Sequence, residues 1–73
     1  MNYQAYISIS PEIRFGRPCI KGTRISVYDI LSWLSEGMQP QEIMDDFPQV
    51  TSVHIQACLA FAADRERRVK IAS

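Results

Sequence analysis

The stretch Gly16-Arg17-Pro18-Cys19-Ile20-Lys21-Gly22-Thr23-Arg24-Ile25 divides this 73-residue chain into a short alternating segment before it and a helix-patterned remainder after it. Gly16, Pro18 and Gly22 punctuate it: glycine reaches backbone angles that other residues resist, and proline fixes its own φ and removes a donor. Between these turn markers Arg17, Lys21 and Arg24 interleave with Cys19, Ile20 and Ile25. That mixture suits a partly buried ribbon with cations on one side, and a row of cations suits an anionic partner.

Toward the N-terminus, Ala5, Ile7 and Ile9 alternate with Tyr6, Ser8 and Ser10. The period of two predicts a half-buried strand, ended by Pro11. Ile13, Phe15, Cys19 and Ile20 permit further short extended pieces, so residues 1–25 read as a β-ribbon arm. A two-stranded ribbon is marginal in water, so it must pack on helices or pair across a dimer axis.

Toward the C-terminus the period changes. Ser26 is a good helix N-cap with Asp29 three residues on, and Val27, Ile30, Leu31 and Leu34 form an amphipathic stripe that stops at Glu36-Gly37. Trp33 falls off this stripe, at the edge of the core or as an anchor for a partner. Pro40 opens a short second helix, with Glu42 in its first turn and Ile43, Met44 and Phe47 as apolar contacts; Pro48 ends it. A third helix follows the N-cap Thr51 and runs from Ser52 to about Val69. The expected architecture is mainly α: the ribbon arm, a three-helix unit of helix-turn-helix order over residues 26–69 with a three- or four-residue turn, and a tail at 70–73.

A hydrophobic fraction of 47% argues against disorder, and no apolar run approaches the roughly 18 to 20 residues that cross a bilayer. A single domain of this length buries only roughly 60% of its unfolded surface, so help from a partner is expected. The first half of the third helix, Val53 to Ala63, is apolar on nearly every face, which predicts a homodimer buried through Leu59 and Phe61. The N-terminus lacks the basic and apolar regions of a signal peptide, which predicts a cytoplasmic chain whose Cys19 and Cys58 are packing thiols. Asp45 and Asp46 are adjacent and point about 100° apart on a helix rather than converging on an ion. The single histidine, His54, reads as a cap or surface residue. With no nucleophile motif, phosphate-cradling loop or metal-spaced cluster, no enzyme, metal or cofactor is expected.

A net charge of zero hides an uneven order. Arg14, Arg17, Lys21 and Arg24 stand near one end and Arg65, Arg67, Arg68 and Lys70 near the other; between Ser26 and Asp64 every formal charge is negative. The start of the third helix has no cation, so contacts to DNA bases would come from Gln49, Thr51, Ser52, His54 and Gln56, and phosphate attraction from Arg17, Lys21 and Arg24.

Gly16 to Ile25 resembles the signature Gly-x-Pro-x-Ile-x-Gly-Thr-Arg-Ile of a small prokaryotic family, domain-of-unknown-function family 433. The resemblance extends through Val27, Gly37, Pro40, Glu42-Ile43, Phe47-Pro48, Thr51, Ile55 and Ala57 to Ala62. It implies a VapB-like antitoxin of helix-turn-helix character, often encoded beside a PIN-like ribonuclease toxin, that holds the toxin inactive and binds operator DNA. Under that resemblance Arg65, Arg67 and Arg68 would pair with the metal-binding carboxylates of the toxin. Two departures are expected to weaken helix starts: Gln39 stands where a capping Ser or Thr is usual, and Val53-His54 replaces a more acidic pair. The alternative is a protein-interaction module that dimerises or docks without touching nucleic acid.

Overall fold

The computed structural model describes residues 1–68; the expected helix end at Val69 and the tail 70–73 lie outside them. The elements are β1 (Ile7–Ser8), β2 (Cys19–Ile20), α1 (Val27–Ser35), α2 (Pro40–Asp46) and α3 (Ser52–Arg68), with 3-10 turns at Tyr3–Ala5 and Arg14–Gly16. The expectation of a mainly α chain with an N-terminal ribbon and three helices holds. Among the described residues no helix is long and apolar enough to cross a membrane.

The ribbon is shorter than its alternation predicted. β1 and β2 pair antiparallel in the register Ile7 to Ile20 and Ser8 to Cys19, while Ala5 belongs to a 3-10 turn and Ile9 is 61% exposed. The reason lies in the flanking turns. Past the bond from Lys21 N–H to the Tyr6 carbonyl (2.9 Å) Gly22 turns the chain, and at the other end the first segment is turned by Ile13 N–H on the Ser10 carbonyl (3.0 Å), so little chain is left to pair.

The stretch from Gly16 to Ile25 folds back on itself and delivers the next residue to the first helix. Ile20 N–H donates to the Ile25 carbonyl (2.9 Å), Thr23 Oγ1 donates to the Ile20 carbonyl (2.9 Å), and Ile25 N–H donates to Thr23 Oγ1 (3.0 Å). Gly22 turns this loop at φ +78° with open space where a Cβ would stand, so its demand is for a left-handed backbone and not for room. Cys19 then bridges to Ser26, and Val27 N–H reaches the Pro18 carbonyl (2.9 Å). Ser26, fully buried, caps α1: its Oγ accepts from Asp29 N–H (2.9 Å) while Asp29 Oδ2 accepts from Ser26 N–H (3.0 Å). This reciprocal box satisfies donors that a helix start otherwise leaves orphaned.

The other helix ends follow the same logic. Gly37, at φ +100°, closes α1 with Gly37 N–H on the Leu34 carbonyl and Met38 N–H on the Trp33 carbonyl, a Schellman arrangement. The two expected weak starts are offset by side chains three residues on. Glu42 Oε1 accepts from Gln39 N–H (2.7 Å), and His54 Nδ1 accepts from Thr51 N–H (3.0 Å), so each N-cap amide is satisfied without a capping serine at 39 or an acid at 54. The connection between α2 and α3 runs from Phe47 to Thr51, longer than the turn expected, and is tightened by Val50 N–H on the Phe47 carbonyl (2.9 Å).

One core results. Ile20, Ile30 and Ile43 are completely buried, joined by Ile7, Ile25, Val27, Val50, Ile55, Ala57 and Cys58. Trp33 stacks on Phe47 with centroids 4.6 Å apart and planes 8° from parallel, which makes it the edge of this core. Of the apolar half of α3 only Ile55, Ala57 and Cys58 are buried, and Leu59 remains 49% exposed. A chain of this size cannot surround so apolar a helix.

Candidate functional site

Two of the ribbon cations make side-chain contacts within the chain. Arg14, which the sequence reading used only in its charge count, is pinned: its Nη1 donates to the Arg24 carbonyl (2.7 Å) and to Asp29 Oδ2 (3.1 Å). Arg17 lies over the ring of Tyr28 on α1, its guanidinium carbon 5.3 Å from the centroid. Lys21 is exposed and is held through its backbone. Its N–H donates to the Tyr6 carbonyl (2.9 Å), and the Tyr6 ring meets His54 edge to face at 6.0 Å, which brings the Lys21 turn toward the start of α3. Arg24, Gln49, Thr51, Ser52 and Gln56 are all exposed, with Thr51 Oγ1 lying 3.2 Å from His54 Nδ1.

The arginines in the last turns of α3 are occupied within their own chain. Asp64 gathers Tyr3 Oη (2.5 Å), Arg67 Nη2 (2.5 Å) and Arg68 Nη2 (3.1 Å), while Arg65 lies 4.9 Å above the Phe61 ring. The bonds from Tyr3 and Arg67 hold the Asp64 carboxyl below its ordinary pKa, and the same bond from Tyr3 raises the phenol. Phe61, expected at a dimer interface, is half-buried against Tyr3, with ring centroids 5.5 Å apart.

Two features escaped the sequence reading. The first is Phe15, read there as a possible extended residue and found fully exposed (102%) on a turn where Arg14 (φ 52°), Phe15 (φ 59°) and Gly16 (φ 82°) are all left-handed. For the two non-glycine residues that conformation costs roughly 1–2 kcal/mol each. The turn is nonetheless closed by Gly16 N–H on the Ile13 carbonyl and Arg17 N–H on the Arg14 carbonyl, both 3.1 Å. The second is a groove of about 710 Å³ between α1 and α3, lined by Arg17, Pro18, Val27, Tyr28, Leu31, Phe61, Ala62, Arg65 and Glu66. Tyr28, off the apolar stripe of α1, was the available signal for it; nothing local marks Phe15.

Both thiols are inert packing groups. Burial pushes the Cys58 thiol up to about 11 and raises Cys19 as well. Among the described residues no group of His, Cys, Asp and Glu side chains is arranged to hold a metal ion.

No curated protein matches this chain. Among solved structures, the crystal structure of a DUF433 member protein from Anabaena variabilis ATCC 29413, at 2.00 Å resolution, superposes with a TM-score of 0.81 at 23% identity. The superposition covers 89% of this chain and 64% of that one, and at such identity it speaks for the fold alone. The sequence profile described as "Protein of unknown function (DUF433)" matches residues 7–62, from β1 through the apolar half of α3, and by that match the chain belongs to the DUF433 family.

Proposed function

We propose that this chain is a VapB-like antitoxin that binds operator DNA through the Lys21 turn and the start of α3. The observation that carries the reading is the Tyr6 link: its carbonyl takes the Lys21 amide and its ring meets His54, so a cationic turn and a row of exposed hydrogen-bonding side chains are tied to one residue. Gln49, Ser52 and Gln56 suit base edges, and Lys21 and Arg24 supply phosphate attraction that the start of α3 lacks. Arg17 belongs to the groove in this reading. A PIN-like ribonuclease is the proposed toxin, with Arg65, Arg67 and Arg68 exchanging Asp64 and Phe61 for the carboxylates of the nuclease.

DNA binding of the full chain and of Lys21→Ala, measured across salt concentrations, tests it. Loss of one phosphate contact flattens the log-log slope by about 0.9, and Gln56→Ala should weaken binding with the slope unchanged. An absence of affinity even at low salt would overturn the reading.

The second reading, a protein-interaction module without nucleic acid, is favoured by α2. In a helix-turn-helix the helix before the recognition helix crosses the DNA backbone, yet Glu42, Asp45 and Asp46 on α2 are all exposed acids that would repel phosphate.

A further inference from the structure

We infer that Phe15 is a docking knob that seats in the α1–α3 groove of a second copy of this chain, reciprocally, across a two-fold axis near Gly16. The inference is independent of DNA and of the toxin. A wholly exposed phenyl ring on a left-handed turn has no packing role in its own chain, and the turn is held by two backbone bonds and by Arg14 to Arg24 and Asp29, so the ring is presented on a fixed support. Presenting an anchor already in place lowers the ordering cost of association.

The groove has the chemistry for an uncharged aromatic ring. Arg17 and Arg65 each lie over a ring of their own chain, Tyr28 and Phe61, at 5.3 and 4.9 Å from the ring centroids. A guanidinium held at the rim of the groove can also attract an incoming ring, which supplies a negative quadrupole without another charge. The volume of about 710 Å³ falls within the range of about 300–1,000 Å³ that holds small ligands. The chain itself carries the matching group: Phe15 stands two residues before Arg17 on the rim, so knob and groove mouth are separated by about 7 Å of backbone at most. With both on one edge of the molecule, a two-fold operation closes both joints at once, whereas a one-sided joint would propagate into open chains. Leu59, on the same face of α3 as Ala62 and Glu66 by its three- and seven-residue spacing, extends the apolar surface beside the groove.

Sedimentation equilibrium of the full chain, of Phe15→Gly, of Ala62→Glu and of the two variants mixed tests the proposal. Glycine takes the left-handed backbone freely, so Phe15→Gly keeps the fold while removing the knob; Ala62→Glu keeps the knob and obstructs the groove. The parent chain should form a discrete species of twice 8.3 kDa. Each variant alone should dimerise on the order of 100-fold more weakly, at tenfold or more per joint. The mixture should associate about tenfold more tightly than either variant alone, because one intact knob meets one intact groove. Circular dichroism checks folding, and Tyr28→Asp on the exposed groove wall replaces Ala62→Glu if that variant fails to fold. A monomeric parent at hundreds of micromolar, a fully dimeric Phe15→Gly, an unaffected groove variant or a mixture no tighter than its components would each overturn the proposal. A Phe15→Gly chain that loses DNA or toxin affinity while its dimerisation is unchanged would do the same and assign Phe15 to that other partner.

Discussion

Asp29 Oδ2 accepts at once from Arg14 Nη1 (3.1 Å) and from Ser26 N–H (3.0 Å). One carboxylate oxygen thus joins the cap of α1 to the turn that displays Phe15, so helix capping and the posture of the exposed tip are a single electrostatic arrangement. Burial pushes the Asp29 pKa up, but the bonds from Ser26 and Arg14 outweigh it and hold the group below its ordinary value of 3.8.

The pH dependence follows from that direction. A carboxylate with a depressed folded-state pKa stabilises the fold above its unfolded value, and the contribution is lost as pH falls through the folded value. Asp29→Asn should therefore lower stability at pH 7 by about 1 kcal/mol, a Tm drop of roughly 4–8 °C for a domain of this size. The gap between parent and variant should close below about pH 4, where the parent carboxylate also protonates. Thermal unfolding between pH 2 and 7 measures it; a gap independent of pH would show that the charge of Asp29 contributes nothing. Asp64, also depressed, keeps a residual acid sensitivity in the variant.

Trp33 and Phe47 stack in parallel at 4.6 Å, which couples the end of α1 to the end of α2. A double-mutant cycle of Trp33→Ala and Phe47→Ala in urea should return a coupling of about 0.5–1.5 kcal/mol beyond the area each ring buries. A value near zero would reduce the pair to independent edge residues.

Gly22→Ala should destabilise by about 1–2 kcal/mol, because φ +78° is left-handed and the surrounding space is open. An asparagine there should recover part of the loss, since Asn tolerates that region better than Ala. Equal stability of all three in denaturant titrations would mean that the loop relaxes to another conformation.

Cys58, with a pKa raised to about 11 and no exposed surface, should stay protonated and unreactive toward thiol reagents at pH 8. Its labelling should require opening of the core and speed up in the destabilised Gly22→Ala chain. Rapid labelling of native protein would contradict the packing around α3.

The helices were legible in the chain because their signals are local. Ser26 with Asp29, Gly37, and Pro40 before Glu42 mark capping geometry within a few residues, and those elements lie where the pattern placed them. The family signature was legible for a related reason: Pro18, Gly22 and Thr23 each meet a backbone demand inside one short loop. Strand length was not, because a strand extends only as far as its partner, and the turns at Gly22 and at Ser10–Ile13 leave the pair two residues long. The partition of the cations was likewise decided in three dimensions. Arg17 lies over Tyr28 and the Lys21 backbone is tied to Tyr6, because the short strand β2 between them has α1 on one edge and β1 on the other. Alternation, capping and turn chemistry act through neighbours in sequence; which cation shares a surface with which helix, and whether Phe15 packs or stands free, depend on long-range packing that no local pattern encodes.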